Sequence, residues 1–64
     1  MKGYYAQVVA ALKAAGWTKL RAGKGSHEIW ADETGKRKVT VPFNCASRHT
    51  ANGVMTGAGL DKRF

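Results

Sequence analysis

The chain has 64 residues, one cysteine, and eleven Lys and Arg against four Asp and Glu, for a formal net charge of +7. So short a chain buries only about 60% of the surface its unfolded form exposes, which excludes a second domain and a large enclosed cavity. A lone Cys45 excludes an internal disulfide, and no apolar run approaches the roughly 18 residues that span a bilayer.

These limits leave one domain over residues 1–64 with a site on its surface. The cysteine usage and the absence of a signal-peptide apolar region lead us to expect a soluble, cytoplasmic protein. The positive field around so small a body attracts polyanions and speeds their encounter. Nucleic acid is the leading partner, an anionic membrane surface a weaker one.

Tyr5, Val8, Val9, Leu12 and Ala15 recur at spacings of three and four, which predicts an amphipathic helix over about residues 4–15. Met1-Lys2-Gly3 offers no capping side chain at its start. Gly16 suits the left-handed position after a helix, with Trp17 packing back on Leu12 as in a Schellman motif. Residues 17–22 read as a short strand with Lys19 and Arg21 on one face. Residues 26–31 read as a second strand, His27 and Ile29 on one face and Glu28 and Trp30 on the other. Each face carries an apolar residue, so periodicity leaves open which one meets the core.

Asp32-Glu33-Thr34-Gly35 reads as a hairpin loop. Residues 36–43 read as the third strand, with Val39, Val41 and Phe43 alternating towards a core and Pro42 ending the ladder. Asn44 or Ser47 caps a second helix, whose stripe is Ala51, Val54, Met55 and Ala58. Gly53 and Gly57 weaken that helix and imply that packing or a partner holds it. Gly59-Leu60 repeats the Gly16-Trp17 ending, and residues 61–64 read as a frayed tail. The order α-β-β-β-α predicts an α+β two-layer sandwich, with two helices on one face of a three-stranded antiparallel sheet.

One stretch stands apart: Gly23-Lys24-Gly25-Ser26-His27. The glycines mark a turn, and directly after it an imidazole sits on a defined strand beside a cationic loop. An imidazole titrates near neutrality and a lysine can neutralise a phosphate, a pairing that suits acid/base work on a phosphate ester. The same residues also fit an ordinary hairpin. Ser26 is either a turn hydroxyl or a group that orients phosphate. Cys45 and His49, four apart, make half a metal site at most, and neither a metal ion nor a cofactor is expected. Trp30 either stacks a base or fills the sheet.

Several segments in register are similar to the HicA family of toxin mRNA interferases. They are Leu12-Lys13-Ala14-Ala15-Gly16-Trp17, the Gly25-Ser26-His27 signature, Val39-Thr40-Val41-Pro42, and Thr50 followed by Val54-Met55 and Ala58-Gly59-Leu60. The chain departs from that pattern at Phe43-Asn44, where many members carry a histidine, and at Thr56-Gly57, in place of a Lys-Gln-like pair. The resemblance implies the double-stranded-RNA-binding-domain fold. It implies an endoribonuclease that cuts mRNA with His27 as the catalytic residue, held in check by a cognate HicB-like antitoxin. The want of a plausible ligand set leads us to expect a metal-independent reaction. Lys19, Arg21, Lys24, Ser26, Lys36, Arg37 and Lys38 are the residues expected to hold the RNA. A non-catalytic RNA-binding module using the same basic face is the alternative.

Overall fold

The computed structural model describes residues 3–23, 25–61 and 64. Helix α1 spans Tyr5–Ala14, strands β1, β2 and β3 span Thr18–Ala22, His27–Ala31 and Lys38–Pro42, and helix α2 spans Arg48–Gly57. The sheet is antiparallel throughout, in the order β1-β2-β3. This is the predicted α+β order. The third strand is shorter than the alternation suggests, because Lys36 and Arg37 belong to the hairpin loop.

Both helix ends are set by local chemistry. At the end of α1, Trp17 N–H donates to Leu12 O at 2.9 Å and Gly16 N–H to Lys13 O at 3.0 Å, with Gly16 at φ +89°. These two bonds are the Schellman pattern, and they satisfy carbonyls that the helix itself leaves open. The end of α2 repeats it: Leu60 N–H meets Met55 O at 2.8 Å and Gly59 N–H meets Thr56 O at 3.0 Å. At the start of α2, Ser47 is the cap, its Oγ accepting from His49 N–H at 3.1 Å. The start of α1 has no side-chain cap; Tyr4 N–H instead donates to Cys45 O at 2.7 Å.

The core joins Val8, Ala11 and Leu12 of α1, Trp30, Val39 and Val41 of the sheet, and Ala51, Val54 and Met55 of α2 in one cluster. Both helices therefore cover the same sheet face, the one bearing Trp30. The register pairs Trp30 with Val39 and Glu28 with Val41, which places Glu28 on that inner face too. His27, Ile29, Thr40 and Pro42 are left on the outer face.

One expectation is corrected here. Phe43 continues the alternation of Val39 and Val41 but does not enter the core, its side chain remaining 55% exposed. Of residues 61–64, expected as a frayed tail, Lys62 and Arg63 lie outside the described residues, and Phe64 is bonded to α2 and packed on Tyr4. Phe64 N–H donates to Asn52 Oδ1 at 3.1 Å, Asn52 Nδ2 donates to Phe64 O at 3.0 Å, and the Phe64 ring lies 5.2 Å from that of Tyr4.

Candidate functional site

The glycine turn fixes where β2 begins. Gly23 N–H donates to His27 O at 2.7 Å, and a Cβ at residue 23 would lie only 3.2 Å from that same oxygen. Gly25 adopts φ +65°, a backbone state side chains disfavour. On the other side Phe43 N–H donates to Ser26 O at 2.7 Å, and His27 lies opposite Pro42. The imidazole thus stands on a bonded ladder at the end of the sheet, exposed to solvent.

Beside it the outer face of β3 and the flank of α2 enclose a shallow cleft of about 460 Å³. His27, Lys38, Thr40 and Thr50 supply its polar groups, and Pro42, Val39, Val54, Gly53 and Gly57 the apolar remainder. Lys38 lies four residues from Pro42 along β3, about 13 Å at the usual strand rise. A phosphate at His27 and its neighbour along a chain therefore both fall within the reach of the cleft. A second depression of about 450 Å³ lies between α1 and β1, lined by Tyr5, Val9, Trp17 and Trp30 with Lys13 and Lys19. No imidazole or carboxylate is among its lining residues, whereas His27 lines the first; His49, the chain's other imidazole, lines a separate depression on α2 with Asn52, Gly53, Thr56 and Gly57.

The cations named from the sequence do not share one surface. The β1–β2 register slips by one residue between Lys19 and Arg21, a bulge at Leu20. Lys19 pairs with Trp30 and Arg21 with Ile29, so the two side chains project from opposite faces, not from one. Lys19 Nζ sits 3.4 Å from Glu28 Oε2 on the inner side, while Arg21 shares the outer face with His27. Lys38 lies in the cleft and Lys36 is exposed in the hairpin loop. Arg37 Nη2 donates to Gly57 O at 3.3 Å, a cation on a helix C-terminus. Ser26 is exposed beside His27, and Lys24 lies outside the described residues.

Sequence reasoning missed the carboxylate next to this site. Glu28 is 8% exposed and takes bonds from Tyr5 Oη at 2.8 and 2.9 Å and from Trp30 Nε1 at 3.0 Å. Burial works against its charge, but the Trp30 and Tyr5 donors and the Lys19 ammonium together outweigh it and hold the carboxyl below its usual range. Burial, then the Glu28 bond and charge, push the Tyr5 phenol up. A glutamate two residues before a tryptophan was the only local signal; Tyr5 lies 23 residues away.

Cys45 is buried, which pushes its thiol up, whereas His49 is exposed on the first turn of α2. Among the described residues no three His, Cys, Asp or Glu side chains come together as ligands for a metal ion. No helix among them is long and apolar enough to cross a membrane.

Comparison with known proteins finds a family model described as HicA toxin of bacterial toxin-antitoxin, which matches residues 5–60. No curated protein and no solved structure matches the chain.

Proposed function

The chain belongs to the HicA toxin family of bacterial toxin–antitoxin systems, and on that premise we propose that it is a metal-independent endoribonuclease that cuts mRNA at the His27 cleft. The observation that carries this reading is the company His27 keeps. An exposed imidazole shares an open cleft with an ammonium at Lys38 and hydroxyls at Thr40 and Thr50.

RNA brings its own nucleophile. The His27 imidazole accepts the proton of a ribose 2′-hydroxyl, the 2′-oxygen attacks the adjacent phosphorus, and the bond from phosphorus to the 5′-oxygen breaks. The leaving oxygen takes up a proton as it departs. Negative charge grows on the phosphoryl oxygens in the transition state, and a fixed cation is worth most there. Arg21, on the outer face with His27, and Lys38, in the cleft, are the described cations we assign to the RNA. Ser26 and Lys36 are exposed, and Lys24, between Gly23 and Gly25 in the sequence, is given the same assignment. A shallow cleft suits a flexible single strand better than a buried small molecule. We assign the restraint of this activity to a cognate antitoxin of the HicB kind.

The test is incubation of the purified protein with an mRNA transcript in excess EDTA. Cleavage undiminished by the chelator is expected. Activity lost with EDTA and restored by a divalent ion would overturn the metal-free mechanism.

A further inference from the structure

Phe43, one residue past the end of β3, breaks the alternation that builds that strand. Val39 and Val41 turn into the core, yet Phe43, next in the alternation, is 55% exposed. Among the described residues only Leu20 is a comparably exposed large apolar side chain, on the opposite edge of the sheet. A single exposed ring ordinarily needs no explanation. What sets this one apart is how it is held and what lies next to it.

The Phe43 N–H donates to Ser26 O at 2.7 Å, and Pro42 before it lies opposite His27. The Phe43 ring packs on Tyr5 with centroids 4.8 Å apart at 57°. Tyr5 is in turn anchored by its hydroxyl to both oxygens of Glu28. An exposed ring tethered through its backbone and buttressed by a bonded tyrosine has lost much of its freedom before any ligand arrives, so binding costs less ordering. Trp30, the aromatic residue of β2, is 2% exposed and offers no face.

We propose that Phe43 is a stacking platform for a base of single-stranded RNA, in the nucleotide next to the linkage held at His27. The strand crosses the end of the sheet at Ser26, its base against Phe43 on one side and its phosphate at His27 on the other. Every nucleobase has a flat π face, so the platform adds affinity without selecting a sequence, and it complements the cations that hold the phosphates. The choice of RNA as ligand rests on the ribonuclease reading above; the ring's exposure and support do not.

The test measures binding of a labelled single-stranded oligoribonucleotide to the full-length His27→Ala protein, with second substitutions at Phe43. Phe43→Ala should weaken binding about 5- to 140-fold, the range expected for one base stacked on an aromatic ring. Phe43→Tyr should keep the affinity, Phe43→Leu should lose it as Ala does, and the salt dependence should stay as in the parent. If Phe43→Ala does not fold, the Tyr and Leu variants decide the matter. Leu binding as tightly as Tyr, an unchanged affinity in Phe43→Ala, or no RNA binding by the parent would each overturn the platform. Affinity for RNA unmoved while an antitoxin binds less well would reassign the ring to a protein interface. Cleavage by the unsubstituted protein is scored separately. RNA held through Phe43 but never cut leaves the platform standing and removes the ribonuclease; RNA cut without regard to Phe43 does the reverse.

Discussion

The Tyr5 hydroxyl donates to both carboxylate oxygens of Glu28, at 2.8 and 2.9 Å, and so ties the first turn of α1 to the middle of the sheet. Glu28 faces inward while His27, its neighbour, faces out. The bond therefore fixes the strand that carries the imidazole without touching the cleft.

That relationship sets a dependence on acid. The folded state holds Glu28 below the ordinary carboxyl value of 4.5, so its contribution is present above that value and is lost as pH falls through the folded value. Thermal melts should show stability falling on the acid side of 4.5, and Glu28→Gln should flatten that limb. Tyr5→Phe, which removes a bond to a charged group, should cost about 1.5–3 kcal/mol. A Tyr5→Phe melt that superimposes on the parent would mean the bond contributes nothing.

The glycines of α2 supply a test of the cleft's far wall. A Cβ at Gly53 meets nothing within 4 Å, so alanine fits there and should stabilise the helix by about 1 kcal/mol. In a domain of this size that corresponds to a melting temperature roughly 4–8 °C higher. Gly53 also lines the His27 cleft, and RNA lying against α2 would meet the added methyl. Gly53→Ala should melt higher and show a lower kcat/KM. A variant both more stable and fully active would place the RNA away from α2.

The bulge at Leu20 separates two cations that sequence alone puts together. Binding to the His27→Ala protein should weaken with salt, at a log–log slope of about −0.7 per phosphate neutralised. Arg21→Gln and Lys38→Gln should each make the slope shallower by about one contact. Lys19→Gln, whose ammonium faces Glu28, and Lys13→Gln, on the last turn of α1, should leave it unchanged. Equal responses at all four positions would show that the charge acts as a diffuse cloud.

What could be read from the sequence was what local chemistry decides. Gly16-Trp17 and Gly59-Leu60 announce the ends of both helices because a Schellman turn is written within six residues. The Val39 and Val41 alternation marks β3, and the turn glycines place His27 at the head of β2. What could not be read depends on partners far along the chain. The bulge that turns Arg21 away from Lys19 appears only in the pairing with β2. Glu28 looks like a solvated strand residue until Tyr5 and Trp30 are seen to meet it. Phe43 keeps the core's period but falls just past the end of β3, where it packs on Tyr5 at the start of α1 and stays exposed. Phe64 is docked by Asn52, an interaction for which a terminal tetrapeptide gives no local sign.

The most direct measurement is the single-turnover rate at which purified His27→Ala protein cuts an end-labelled mRNA, beside unsubstituted protein with the same circular dichroism. His27 is exposed, so its removal takes almost nothing from the core. General base catalysis is worth about 10²- to 10⁴-fold, and a loss of at least that size with the fold retained is predicted. Cleavage by the folded variant at close to the parent rate would contradict the placement of the chemistry at His27.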